Sequence, residues 1–287
     1  MNKKAIVLVS FGSVDAAALQ RTLDPLEERF QQVFPEWKIC RAFSSQAVRD
    51  KLAARSGIQV DDIEEALRKL SCEAFEEVYV QPLFLTVDAT LQGVQKYIAA
   101  EARKPAWKTK TLELARPLLL SLGAKDHPDD YVLAIEALQQ QWSPLQESQA
   151  ILLACNGAQQ MEYAVLQLKL EAAGYERIFV CVTDGFPDLA NSMTKMKAKE
   201  VQDVLIVPFM LLAGEHILNY LSGVKSDSPK LILEQAGFKA QVLTKGLGEN
   251  QAIQELFIQH VKDKQQAIAR RHGRRNQSPM ETCCASK

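Results

Sequence analysis

The chain has 287 residues, of which 47% are hydrophobic and 24% charged, and its formal net charge at pH 7 is −1. This composition is typical of a globular protein with a sizeable core and excludes a disordered or collagen-like chain. The near balance of 34 Lys and Arg with 35 Asp and Glu excludes the basic surplus of a general nucleic-acid binder. No apolar stretch reaches the roughly 20 residues that a membrane helix needs.

The first half of the sequence alternates short apolar runs with helical periodicity. Residues 5–9 are too few for the apolar region of a signal peptide, so we interpret them as a strand and expect a cytoplasmic protein. Apolar residues at three- and four-residue steps over 19–33 predict a helix, with Pro25 inside it. The elements expected next are strands at 39–43, 78–85 and 112–115 and helices at 63–70 and 91–102.

The second half repeats this alternation. It predicts strands at 150–154, 177–182, 204–211 and 240–243, and helices at 161–173 and from about residue 250. Residues 7–13 align with 152–158, and residues 78–85 align with 204–211, which brings Pro82 and Pro208 near register. The repeat predicts an α/β fold of two similar lobes, each a parallel sheet flanked by helices, with a cleft between them.

Three segments follow from this repeat. We predict an N-terminal lobe over residues 1–141, a C-terminal lobe over 142–265 and a basic, disordered tail over 266–287, since apolar periodicity ends at Ile268. The six cysteines show no CxxC spacing and no disulfide framework. The tail's Cys283 and Cys284, with His272, offer metal ligands, but a single tract is weak evidence for a site.

Candidate functional side chains lie where predicted strands end, because open α/β sheets bind ligands at the carboxyl ends of their strands. His216 alone of the four histidines follows a buried strand through a glycine turn, where an imidazole can bind a metal or take a proton. Asp184 is either a carboxylate facing the same cleft or a turn-capping residue. Arg41 suits the binding of anionic substituents.

Small residues form the first strand-end turn, Ser10-Phe11-Gly12-Ser13. Its backbone N–H groups would suit a carboxylate or phosphate, although Gly12 serves a tight turn equally well. The segment matches neither GxGxxG nor a Walker loop, so dinucleotide binding is poorly supported.

Four segments together resemble the anaerobic sirohydrochlorin cobaltochelatases, the class II chelatases of the early-cobalt cobalamin pathway. They are residues 5–13, 41–45, 213–216 and 246–250, and the resemblance extends in order from about residue 3 to residue 265. It implies two α/β lobes that hold a tetrapyrrole between them and insert Co²⁺, or in some settings Fe²⁺ or Ni²⁺, into sirohydrochlorin without ATP. It implies no organic cofactor, nucleic acid or membrane, and leaves a homo-oligomer open.

The resemblance also assigns roles to individual residues. It implies that His216 and Asp184 act in catalysis and that they hold the metal together with Asn156. Three positions depart from the family, because Asn156 replaces a metal-site His, Asp184 replaces a Glu and Thr90 replaces a cleft Glu. The implied substrate-binding residues are Ser10, Phe11, Gly12, Ser13, Arg41, Ser44, Thr90 and Gly157.

Three functions are compatible with these residues. The first is an active cobaltochelatase with an altered metal site, which the family resemblance favours. The second is a relative without enzymatic activity that binds or carries a tetrapyrrole, which the replacement at Asn156 makes conceivable, since an amide is a weaker ligand for Co²⁺ than an imidazole. The third is a phosphate- or nucleotide-binding α/β protein, which would require a glycine-rich phosphate loop that the sequence lacks.

Overall fold

Two four-stranded parallel sheets form the framework of the protein in a computed structural model, which describes residues 3–124, 127–141, 144–158, 161–223 and 226–276. The first half contains β1 (Lys4–Ser10), α1 (Ala16–Val33), β2 (Lys38–Phe43), α2 (Gln46–Ser56), α3 (Ile63–Cys72), β3 (Glu77–Pro82), α4 (Ala89–Glu101), β4 (Thr111–Leu114), the hairpin strands β5 (Leu122–Ala124) and β6 (His127–Asp129), and α5 (Asp130–Leu138).

The second half has a matching series of elements. It contains β7 (Gln149–Ala158), α6 (Met161–Ala172), β8 (Ile178–Asp184), α7 (Leu189–Ala198), β9 (Asp203–Phe209), α8 (Glu215–Ser222), α9 (Pro229–Gln235), β10 (Lys239–Val242) and α10 (Gln251–Asn276). Single turns of 3₁₀ helix lie at Pro105–Trp107, Gln139–Gln141 and Leu247–Glu249.

The two sheets share one topology, which confirms the predicted duplication. The first has the order β2-β1-β3-β4 and the second β8-β7-β9-β10, so strands that correspond in the chain also correspond in space. Pro82 pairs with Val9 and Pro208 pairs with Ala154, at equivalent places in the two sheets. Gly12 lies in the turn after β1, and Gly157 lies at the end of β7, where the pairing with β8 changes register. Their φ angles are +94° and +126°, a region that glycine adopts readily.

The core has three parts, because both faces of each sheet are covered. Along β1, Ile6 and Leu8 face a central cluster, while Ala5, Val7 and Val9 face an outer cluster formed with α3 and α4. The central cluster also receives side chains from β7 and from α1, α5, α6 and α10, so the two lobes share it. A third cluster covers the outer face of the second sheet with α7, α8 and α9.

The last helix changes one of the predicted boundaries. α10 continues past residue 265 to Asn276, so the segment 266–276 is helical and the predicted disordered tail does not begin at 266. The same helix contacts α1, α5 and β3 of the first lobe. Cys283 and Cys284 lie outside the described residues.

A few element bounds also differ from prediction. The strand expected at 78–85 ends at Pro82, so residues 83–85 belong to the loop that follows it. The helices α2, α7, α8 and α9 were not predicted. None of the described helices is both long and apolar enough to cross a bilayer.

Candidate functional site

A cleft of about 1210 Å³ opens between the lobes at the carboxyl ends of the strands. Its walls come from the segments at the ends of β1, β3, β7 and β9, the neighbouring central strands of the two sheets. In each sheet the chain passes from the first strand to an edge and then back across it, and the crevice at such a reversal is where open α/β sheets bind ligands.

The first lobe supplies the turn after β1 and the segment after β3. Ser10, Phe11, Gly12 and Ser13 all line the cleft, as predicted, and Phe11 is 52% exposed within it. The Ser10 side chain is only 2% exposed, and its Oγ has no hydrogen-bond partner among the described residues. A buried hydroxyl without a partner is free to serve a bound ligand.

Two aspartates begin the helices that follow these strands. Asp15 accepts a hydrogen bond from the Ala18 N–H at the start of α1, and Asp88 accepts one from the Leu91 N–H at the start of α4. Thr90 lies in the first turn of α4 and lines the cleft, as predicted.

The second lobe supplies Asn156 and Gly157 at the end of β7 and the first turn of α8 after β9. His216 is the second residue of α8, lines the cleft and is exposed. The structure therefore brings together Asn156, Gly157 and His216 with the predicted turn of the first lobe. This grouping agrees with the predicted position of His216 at the cleft and excludes a core histidine there.

The buried Tyr163 side chain contacts the end of β7. Its side chain is 3% exposed, and its hydroxyl donates a hydrogen bond to the carbonyl oxygen of Asn156 at 3.4 Å. Burial raises the pKa of Tyr163, so the phenol stays protonated and acts as a donor. Tyr163 therefore fixes the backbone of Asn156 and leaves the amide side chain exposed at the cleft.

The Cys155 thiol next to Asn156 is unsuitable as a substitute ligand. Cys155 is 1% exposed, and its thiol donates a hydrogen bond to the Leu153 carbonyl oxygen at 3.7 Å. Burial raises the pKa of this thiol well above its usual value. A buried, protonated thiol is neither accessible to a metal nor in its metal-binding form.

Arg41 does not belong to the cleft, so the prediction that it binds substrate is not supported. It lies on the edge strand β2, and its guanidinium is ion-paired with Asp24, at 2.5 Å, and with Glu27 on α1. Ser44 also follows this edge strand, and its hydroxyl donates to the Ser10 carbonyl oxygen at 3.2 Å. Ser44 thus supports the cleft turn from behind and is not among the residues that line the cleft.

Asp184 ends the other edge strand, β8, and is not among the cleft-lining residues either. Burial raises the pKa of Tyr220 on α8, and the charges of Asp227 and Asp184 raise it further. Asp184 is exposed at the end of β8, outside the residues that line the cleft. Among the residues that the structure describes, no three His, Cys, Asp or Glu side chains form a group that could hold a metal ion.

Sequence reasoning did not single out four charged residues that line the cleft, namely Asp15, Arg55, Asp88 and Glu215. Arg55 is exposed near the end of α2. Among the described residues that line the cleft, it is the only Lys or Arg. α2 buries only Leu52, so the sequence lacks the apolar periodicity that would have revealed this helix and its last turn. Asp88 carried a signal, because an Asp three residues before an apolar run is typical of a helix N-cap.

Comparisons with known proteins agree with this fold. The chain is 28% identical over 262 residues to the sirohydrochlorin cobaltochelatase of Salmonella typhimurium, covering 90% of this chain and 95% of the relative. It is 24% identical over 264 residues to the sirohydrochlorin cobaltochelatase CbiKC of Nitratidesulfovibrio vulgaris, covering 91% and 90%.

Two solved structures are similar in fold. The sirohydrochlorin chelatase SirB from Bacillus subtilis subspecies spizizenii, solved in complex with cobalt, has a TM-score of 0.60 at 15% identity over 91% of this chain and 94% of its own. DR2241 from Deinococcus radiodurans, a multi-domain protein with structural similarity to chelatases, has a TM-score of 0.56 at 15% identity over 91% of this chain and 55% of its own.

A family model settles the relationship. The model of the cobalt chelatases (CbiK) matches residues 4–266, which is nearly the whole of both lobes and most of α10. The duplicated sheet order, the cleft at the paired strand ends and His216 at the start of α8 are thus features of a member of that family. The chain belongs to the cobalt chelatase (CbiK) family.

Proposed function

We propose that this protein is a sirohydrochlorin cobaltochelatase, which inserts Co²⁺ into sirohydrochlorin without ATP in anaerobic cobalamin biosynthesis. Fe²⁺ and Ni²⁺ are alternative substrate metals. The observation that carries the proposal is the exposed His216 at a cleft of about 1210 Å³ between the lobes. That volume exceeds the roughly 300–1,000 Å³ of sites for drug-sized ligands, as a tetrapyrrole requires.

Metal insertion needs a group that receives the divalent ion and a group that accepts protons, because two pyrrole N–H protons leave as the metal enters. Imidazole does both near neutral pH, and His216 is the imidazole at the cleft. The Asn156 amide oxygen at the cleft is the proposed additional ligand. The Asp184 carboxylate stays a proposed ligand on the family resemblance alone, since it does not line the cleft. A substrate metal has to leave with the product, so a weak set of ligands is compatible with turnover.

The carboxylates of sirohydrochlorin need positive charge and hydrogen-bond donors. In our proposal Arg55 supplies the charge, and the backbone N–H groups of the turn at residues 11–13 supply donors at the start of α1. The unpartnered Ser10 hydroxyl and the Thr90 hydroxyl add side-chain donors. The exposed Phe11 ring offers an apolar surface to one face of the macrocycle.

The alternative function is a tetrapyrrole-binding or carrier protein without chelatase activity. Asn156 favours it, since this position carries an amide where the resemblance implies an imidazole. The cytoplasm stays our expected compartment. The absence of nucleic-acid and membrane partners and the oligomeric state stay predictions.

The experiment that separates the two functions is a cobalt-insertion assay under anaerobic conditions. Purified protein, sirohydrochlorin and Co²⁺ are mixed, and the absorption change is compared with the uncatalysed rate. A chelatase gives a rate that rises in proportion to the protein concentration. A carrier gives the uncatalysed rate while sirohydrochlorin alone still titrates to saturable binding.

A further inference from the structure

One carboxylate connects the two lobes at the cleft. Asp15 precedes α1 in the first lobe, and its Oδ1 accepts a hydrogen bond from the Ala18 N–H at 3.0 Å. Its Oδ2 accepts a second hydrogen bond, also at 3.0 Å, from the Glu215 N–H of the second lobe. The Asp15 N–H donates to Ser13 Oγ at 3.1 Å. Asp15 therefore begins a helix in its own lobe and also binds the first residue of α8.

α8 lacks a capping side chain of its own. Its N-cap residue is Gly214, so the first N–H groups of the helix have no local side-chain acceptor. A Cβ at Gly214 would lie 3.4 Å from Asp15 Oδ2 and 3.6 Å from Ser13 Oγ, so the two lobes approach each other closely at this point. Asp15 thus supplies from the opposite lobe the cap that the sequence around α8 does not provide.

Other contacts hold the preceding loop but end before His216. The Leu247 N–H donates to the Met210 carbonyl at 2.8 Å, and the Gly248 N–H donates to the Leu211 carbonyl at 3.0 Å. These bonds fix the residues directly after β9. The next hydrogen bond along the chain that links this segment to another part of the protein is the one from the Glu215 N–H to Asp15, one residue before His216.

Asp15 is suited to this position by its charge. Burial raises its pKa, but hydrogen bonds from the Ala18, Glu215 and Ala17 N–H groups outweigh that effect and leave the pKa lowered. The carboxylate is therefore negative at neutral pH, and a negative charge at a helix N-terminus is favourable.

We propose that Asp15 is a positioning residue, whose carboxylate fixes the first turn of α8 and with it His216 against the substrate-binding turn of the opposite lobe. The kinetic effect expected from Asp15 depends on the proposed function, cobalt insertion into sirohydrochlorin. Asp15 touches neither substrate nor metal in this account. It acts through His216 alone.

The test is the substitution Asp15→Asn. An asparagine oxygen can still accept from the Ala18 N–H, and Asn is as good an N-cap as Asp. Its amide has only one acceptor oxygen, so the Glu215 N–H loses its partner. The matched control is Asp188→Asn, because Asp188 caps α7 through the Asn191 N–H at 2.7 Å and does not line the cleft.

Two measurements are made on both variants. Amide hydrogen exchange at residues 215–217 is expected to become about tenfold faster in Asp15→Asn, which corresponds to the loss of one hydrogen bond to a charged group, and to stay unchanged in Asp188→Asn. The kcat/KM for Co²⁺ is expected to fall about tenfold in Asp15→Asn, with the KM for sirohydrochlorin within twofold of the wild type.

A double-mutant cycle tests whether Asp15 acts through His216. In a His216→Ala background, Asp15→Asn is expected to change the residual rate by less than twofold. An equal loss in both backgrounds overturns the proposal, and so does unchanged exchange at residues 215–217. If the wild type inserts no cobalt, the proposed function fails separately. The exchange measurement, together with NMR signals of the His216 ring that shift in Asp15→Asn but not in Asp188→Asn, then decides the proposal.

Discussion

A buried charge cluster joins the last helix to the first lobe and can be tested by one substitution. The Asp130 side chain on α5 is fully buried and accepts hydrogen bonds from Arg116 Nε at 3.1 Å and from the Ser121 N–H at 2.8 Å. His260 of α10 places Nε2 3.5 Å from Asp130 Oδ1, and its Nδ1 lies 3.2 Å from the Arg116 carbonyl oxygen. The cluster therefore connects α5, the segment after β4 and α10.

Asp130→Ala is expected to lower the free energy of unfolding by about 2–3 kcal/mol, because it leaves the Ser121 N–H without its acceptor and, among the described residues, leaves the Arg116 guanidinium with only its ion pair to Asp263 at 2.7 Å. The matched control is Glu176→Ala, which breaks the ion pair with Lys199 but removes a side chain that is 72% exposed. It is expected to change stability by less than about 1 kcal/mol. Urea denaturation measures both values. A loss below about 1 kcal/mol in Asp130→Ala would show that the cluster does not hold α10 in place.

The same carboxylate predicts a pH dependence. Burial raises the pKa of Asp130, but hydrogen bonds from His260 and the Ser121 N–H, with the charges of His260 and Arg116, outweigh it and leave the pKa lowered. A lowered folded-state pKa means that the stabilisation is present above the unfolded value of about 4 and is lost as the pH falls through the folded pKa. The stability difference between the wild type and Asp130→Ala should therefore shrink below about pH 4.

Three further substitutions test the cleft. Arg55→Ala should raise the KM for sirohydrochlorin about fivefold, since an exposed ion pair contributes up to about 1 kcal/mol. The control Arg41→Ala should leave that KM within twofold, because Arg41 is paired with Asp24 and Glu27. Equal effects of the two substitutions on KM would contradict the proposal that Arg55 binds the substrate carboxylates. Asn156→His should tighten Co²⁺ binding, measured by titration calorimetry, and raise the insertion rate, because it adds an imidazole ligand and proton acceptor. Unchanged affinity would mean that position 156 does not face the metal.

The central strands could be predicted because burial on both faces leaves a continuous apolar run in the sequence. β1 is such a strand, with its residues after Lys4 all buried, and β7 and β9 follow the same rule in the second lobe. The internal repeat then gave the correct strand equivalences, including the shared register of Pro82 and Pro208.

Strand order could not be predicted, and it decides which strand ends reach the cleft. The sequence places Arg41 within a strand and Asp184 directly after one, but β2 and β8 are edge strands. The cleft forms at the central pair of each sheet. The position of Arg41 outside the cleft wall therefore comes from topology rather than from its residue type.

Helices with few buried residues were missed or cut short for a different reason. α2 buries only Leu52, and α7 buries only Ser192 and Met196, so neither shows a clear apolar face. α10 continues after the last apolar position, Ile268, through a segment in which one Ala and four Arg residues of high helix propensity outnumber one His, one Gly and one Asn of low propensity. Propensity extends a helix that packing has already nucleated, and apolar periodicity does not detect that extension.

The central claim is that His216 handles the metal in a cleft that binds sirohydrochlorin independently of it. The direct measurement compares the rate of anaerobic cobalt insertion and the Kd for sirohydrochlorin between the wild type and His216→Ala. We expect the variant to lose about 10²–10⁴-fold in rate, the range for removal of a general acid–base group, while its Kd for sirohydrochlorin stays within about threefold of the wild type. A His216→Ala variant that inserts cobalt as fast as the wild type would contradict the account.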